Sequence, residues 1–135
     1  MFNHLRGLLT NKQPPFLVIE VNGGVGYYIQ APLSTFKQLP PLNEVVHLYV
    51  HVSTRDDSLF LYGFTCEAER QLFRSLIRVS GVGPKLALSI LSAMELTTFT
   101  QATQTKDVSR LTAIPGIGKK IAERILTELS KELGT

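Results

Sequence analysis

The sequence predicts a small β-barrel followed by an all-α bundle. Three observations carry that reading. Five short runs rich in Val, Ile, Leu and aromatic residues fill residues 1–64, separated by Pro, Gly and Asp turns. From Glu67 onward the apolar residues recur at helical spacing. The rest of the chain then carries one segment twice. At 135 residues the chain suits one ordinary domain or two small ones. A hydrophobic share of 44% with 19% charged residues supports a packed core and excludes wholesale disorder. No apolar run approaches the ~18 residues of a membrane span. The opening MFNHLRG lacks the basic-then-apolar pattern of a secretory leader, so a cytoplasmic location is expected.

Taken in order, FNHLRGLLT reads as a first strand, followed by a turn over Asn11 to Pro15 whose two prolines no central strand accommodates. FLVIEVN, 16–22, is the second strand, stopped by Gly23-Gly24, and VGYYIQA, 25–31, is the third, ended by Pro32. Residues 33–39 suit a helical turn or short helix closed by Pro40-Pro41. VVHLYVHV, 45–52, is the longest strand candidate. Arg55-Asp56-Asp57-Ser58 makes a charged turn into LFLYG, 59–63. Five strands is the number in an oligonucleotide-binding (OB)-like barrel. A sheet so small needs closure or a cover to protect its edges. The boundary falls near Phe64 to Cys66, giving a barrel domain over 1–64 and a helical domain over 65–135. Cys66 is the single cysteine, which excludes a disulfide scaffold or a cysteine-rich zinc site; it reads as a buried or half-buried small residue.

ERQLFRSLIRV places Leu72, Phe73, Leu76, Ile77 and Val79 at helical spacings, with Arg70, Arg74 and Arg78 on another face. LIRVSGVGPKLALSILSAM, 76–94, then aligns with LTAIPGIGKKIAERILTEL, 111–129, at a constant spacing of 35. Leu76/Leu111, Gly81/Gly116, Gly83/Gly118, Lys85/Lys120, Ala87/Ala122, Ile90/Ile125 and Leu91/Leu126 are identical pairs. Each copy reads as helix, tight G-[VI]-G hairpin, helix, and two such pairs build a four- or five-helix bundle. The Ser/Thr-rich stretch TTFTQATQT, 97–105, reads as a helix start and a connection between the copies.

A glycine turn between helices has two readings. It is a tight turn and nothing more, or its open backbone receives a ligand. The second gains weight because the turn recurs and each copy runs straight into a helix whose first amides lack internal partners. Those helices open with Lys85 in one copy and with Lys119 and Lys120 in the other. Lysine is disfavoured at a helix N-terminus unless an anion shares the spot. Paired amide nests with lysines suit backbone phosphates, and they carry no base code. The middle residues Val82 and Ile117 would plug each hairpin into the core. Charge agrees in placement: residues 1–64 balance, and the whole net charge of +3 comes from 65–135. Neither GVGPK nor GIGKK is the GxxxxGK[ST] loop of an ATPase, so ATP hydrolysis by this chain is not expected.

The paired hairpin segments, with HLRGLLTNKQPPFLVIEVNGGVGYYI and RDDSLFLYGF, resemble the RuvA family, the Holliday-junction DNA-binding subunits of the bacterial branch-migration complex. The resemblance covers residues 1 to about 133. It implies an OB-like domain, a tandem helix-hairpin-helix domain and a fourfold-symmetric homotetramer, in some members two tetramers face to face, holding an open four-way junction. It also implies two partners, the RuvB ring ATPase motor and the RuvC resolvase, and no cofactor. Phosphate binding would fall on Gly81, Gly83, Lys85, Gly116, Gly118, Lys119 and Lys120. The family's central acidic pin would fall on Asp56 and Asp57, with Asp56 where glutamate is familiar; taken alone, those residues read as a solvated turn. Family members continue past KELGT into a linker and a motor-binding domain, so the chain is expected to be an engineered or proteolysed core fragment rather than a short natural form.

Two other classes fit the residues less well. A hairpin-bearing glycosylase or nuclease would need a catalytic Lys or Asp in a pocket, and a pure oligomerisation module would use both glycine turns structurally. No Ser-His-Asp, Cys-His or paired-carboxylate arrangement stands out. His47 and His51 share a strand side with Tyr49 but lack further metal ligands in sequence. Asp56 and Asp57 lack the third acid of a magnesium-dependent nuclease. Tyr27 and Tyr28 are candidates for stacking on bases, and the resemblance favours core and interface roles for them.

Overall fold

Alternating side chains decide the first half of the fold. In a computed structural model, which describes residues 2–133, Leu5 and Leu9, Leu17 and Ile19, and Val46, Leu48 and Val50 all point into one core. Strands β1 (His4–Gln13), β2 (Phe16–Val21), β3 (Val25–Gln30), β4 (Val45–Arg55) and β5 (Ser58–Phe64) close in the order β1-β2-β3-β5-β4, and β4 pairs back onto β1. All pairings are antiparallel except the short parallel contact of Ile29 and Gln30 with Leu61 and Tyr62. Closure leaves no free edge. Helix α1 (Leu33–Lys37) lies in the β3–β4 connection, where buried Thr35 donates from Oγ1 to the Gly63 carbonyl at 3.3 Å.

The chain divides into two compact units, Met1–Arg70 and Gln71–Thr135. In the first, two expectations are corrected. The segment Asn11 to Gln13 belongs to β1, because it pairs with Val18, Leu17 and Phe16 after a bulge that follows Leu9; only Pro14-Pro15 turns. Cys66 is exposed between β5 and the next helix. Tyr27 packs against the core, but Tyr28 is 62% exposed and stacks flat on Phe16 with ring centroids 4.6 Å apart.

Helix α2 (Glu67–Arg78) has its first turn in this unit. Arg70 is buried there, whereas Arg78, two turns on, is exposed. Its Nη1 donates to the Asn3 carbonyl at 2.6 Å, to Asn3 Oδ1 at 3.0 Å and to the Val50 carbonyl at 3.2 Å, and its guanidinium lies over the Tyr49 ring. A cation thus takes three acceptors out of the barrel and stays satisfied. Its neighbour Glu69 is buried less comfortably. Ser34 Oγ donates to Glu69 Oε2 at 3.0 Å, while Oε1 is buried without a partner. Burial pushes the Glu69 carboxyl above its usual range, with the Ser34 hydrogen bond opposing.

The second unit contains the rest of α2 with α3 (Pro84–Ala93), α4 (Leu96–Thr105), α5 (Val108–Thr112) and α6 (Lys119–Leu133). The barrel-plus-all-α class is therefore present as read. Residues 97–105 form nearly all of a ten-residue helix rather than a start and a connection. Thr100, Thr103 and Thr105 each donate to the carbonyl four residues back at 2.9 Å, so their hydroxyls are satisfied inside the helix. Buried Phe99 and Ala102 fix the face it presents to the core.

Candidate nucleic-acid interface

The two hairpins share one backbone geometry. Gly81 has φ of 93° and Gly116 of 94°, the left-handed side where a Cβ is strained. Val82 N–H donates to the Val79 carbonyl at 3.0 Å, and Ile117 N–H donates to that of Ile114 at 3.1 Å. Ala87 N–H donates to the Gly83 carbonyl at 3.0 Å, and Ala122 N–H to that of Gly118 at 2.9 Å. Val82 and Ile117 are each only 5% exposed. They plug their hairpins into the core, and each burial contributes about 1.5–3 kcal/mol.

The copies also lean on each other. A Cβ on Gly81 would meet Ile121 Cδ1 at 2.6 Å, and one on Gly116 would meet Leu86 Cδ1 at 3.3 Å. Leu86 and Ile121 occupy matching repeat positions, so each turn is backed by the helix of the other copy. Arg124 adds a support invisible to the motif: its Nη1 donates to the Ser80 carbonyl at 2.8 Å. Its place in the second copy, without a counterpart of the same type in the first, gave no sequence signal.

On the outer side the hairpins are open. Gly83 and Gly118 have nothing within 4 Å of where a Cβ would stand. Lys85, Lys119 and Lys120 are exposed, and among the described residues no carboxylate pairs with them. The first amides of α3 and α6 emerge beside these lysines and are free of intrahelical partners by helix geometry. Pro84 removes one such amide from α3, whereas α6 begins with Lys119 and keeps the full set. Each site therefore offers amide donors, positive charge and an unobstructed approach, the combination that receives a phosphate oxygen.

Asp56 and Asp57 lie in the first unit, at the β4–β5 turn. They are exposed and have φ of 50° and 63°, two consecutive left-handed residues between the paired Arg55 and Ser58. That is the signature of the tight hairpin turn that favours Asp, Asn and Gly, so turn chemistry alone accounts for both residue types. Arg55 is drawn down the stem, over the Phe60 ring at 4.6 Å and toward Tyr62 Oη at 3.4 Å. The two carboxylates stand at the tip.

His47 lies against His4 and Tyr49, each at 5.0 Å between centroids, and His51 lies nearer Tyr62. Among the described residues no group of three or more His, Cys, Asp or Glu could hold a metal ion. No described helix is long and apolar enough to cross a membrane.

A closed five-stranded barrel followed by a duplicated glycine hairpin defines a barrel-plus-tandem-helix-hairpin-helix protein. Residues 1–63 match the RuvA N terminal domain, and residues 73–131 match the SAM-like helix-hairpin-helix tandem. The chain is 54% identical over 129 residues to the Holliday junction branch migration complex subunit RuvA of Xylella fastidiosa (strain 9a5c), covering 96% of this chain and 66% of that one. It is 51% identical over 135 residues to the same-named subunit of Thioalkalivibrio sulfidiphilus (strain HL-EbGR7), covering 100% of this chain and 67% of the relative. The chain belongs to the RuvA family. It spans about two thirds of the length of the relatives it matches.

Proposed function

We propose that this chain binds four-way DNA junctions by their shape, as the non-catalytic scaffold of a branch-migration machine in recombination and repair. In this reading residues 1–64 form the central OB-like domain and residues 65–135 the DNA-binding domain. Gly81, Gly83 and Lys85 take one run of phosphates, and Gly116, Gly118, Lys119 and Lys120 take another. The observation that supports it most is the paired hairpin geometry, with φ of 93° and 94° and uncovered lysines at both helix starts. Two phosphate grips of matching backbone geometry in one helical unit fit a duplex arm and ignore its base sequence.

Four copies assemble around a junction, singly or as two facing tetramers, in the cytoplasm. The partners named by the family, a RuvB ring ATPase and a RuvC resolvase, act on the same DNA. Asp56 and Asp57, repeated around the axis, repel phosphates and hold the exchange point open.

Competition binding tests this directly, with a four-way junction against linear duplex of equal total length. The parent chain should prefer the junction strongly. A variant with Lys85→Gln, Lys119→Gln and Lys120→Gln should keep its fold by circular dichroism and lose most of that affinity. Unchanged binding by the triple variant would leave the glycine turns a structural role only.

A further inference from the structure

We propose that His4, Arg6 and His47 form a third phosphate-binding site, on the outer face of the barrel, one that takes up protons when DNA binds. This inference rests on the junction-binding reading. Arg6 and His47 sit directly opposite each other in the β1–β4 ladder, and the His4 ring crosses diagonally to His47 with centroids 5.0 Å apart. All three side chains belong to exposed residues, and among the described residues none is paired with a carboxylate. Three basic side chains thus share one solvent-facing corner, and no ion pair among the described residues supplies a counter-charge, so an anion could be received there.

The corner is held from behind. Arg70 donates to Asn3 Oδ1 at 3.0 Å, which orients the Asn3 amide so that its Nδ2 faces His4 Nδ1 at 3.2 Å. Nδ1 of neutral His4 is therefore the acceptor, and its proton sits on Nε2. That leaves an N–H on the ring edge away from Asn3, on a ring that packs edge-on against His47, the ladder partner of Arg6. Tyr49, opposite His4 in the ladder, closes the side toward α2 with its ring between His47 and Arg70. The groups facing His47 are thus His4 and Arg6 from β1, Tyr49 from its own strand, and Arg70 beyond Tyr49.

Burial holds the His47 imidazole below its usual pKa, and repulsion from His4 and Arg6 adds to this. A phosphate diester in the corner reverses the repulsion and favours the imidazolium forms. The sign follows: the bound state carries more protons than the free state, so affinity rises as pH falls through the histidine range.

The test is the dissociation constant of the four-way junction between about pH 7.5 and about pH 5.5. The parent chain should tighten about tenfold over that interval, up to the tenfold per pH unit that one proton allows. A His4→Gln, His47→Gln double variant should be nearly flat, and His51→Gln, which alters the remaining histidine of the chain, should follow the parent. Equal pH slopes in the parent and the double variant, or a pH-independent parent, would overturn the site and leave junction binding standing. Failure to bind the junction at either pH would overturn the junction reading and this inference with it. Nuclear magnetic resonance titration of the His47 imidazole protons, free and DNA-bound, gives a second reading: the His47 pKa should rise on binding, and an unmoved value refutes the site.

Discussion

Gly81 and Gly116 bear nearly equal backbone strain for any other residue, since their φ values differ by one degree. Their surroundings differ. A Cβ at Gly81 meets Ile121 at 2.6 Å, inside normal contact, while one at Gly116 meets Leu86 at 3.3 Å. Gly116→Val should therefore cost about 1–3 kcal/mol from the left-handed conformation, and Gly81→Val should cost more. Paired thermal melts check the order, and a reversed order would mean that contact with the opposite helix is not what closes these turns. Glu69 gives a second residue-scale expectation. Its carboxyl is raised by burial in the folded chain, so the folded state holds its proton to higher pH than the unfolded state. Stability falls as pH rises from the unfolded value of about 4.3 through the folded one, and the penalty is complete above that. Glu69→Gln should flatten this slope and raise the melting temperature near neutral pH; an unchanged slope would place the penalty elsewhere.

Among the elements, α3 and α6 invite a direct comparison, because they start at equivalent repeat positions with different donors. The first has one lysine and a proline without an amide; the second has two lysines and every amide. Replacing Lys119 and Lys120 with Gln should lower the salt-dependence slope of DNA binding by about two, and Lys85→Gln by about one. Equal losses would show that these side chains do not each face a phosphate. The repeat that places these helices was legible because a spacing of 35 preserves both the glycines and the apolar plug residues. Closure of the barrel was legible from strand count and the need to protect edges. Other features were not. Helix α4 was hidden because threonine reads as a breaker until its hydroxyl finds the carbonyl four residues back. Arg70 was hidden because its acceptors, Asn3 and Val50, are distant in sequence. Cys66 was misread as buried or half-buried because residue type alone does not say which side of a turn is wet.

At the scale of the whole molecule, the acidic tip and the basic hairpins belong to different units, and the proposed function needs copies of both arranged about one axis. Asp56→Asn with Asp57→Asn preserves a turn that tolerates positive φ. It should leave assembly intact and junction affinity equal or tighter; weaker binding in an intact assembly would refute the repulsive role of the tip. The most direct test of the central claim is native mass spectrometry of the chain alone and with an immobile four-way junction, with equal-length linear duplex as competitor. The account predicts tetramers, one or two on each junction, with little duplex carried along. Monomers binding junction and duplex alike would contradict it, leaving two sound phosphate grips without a junction to organise.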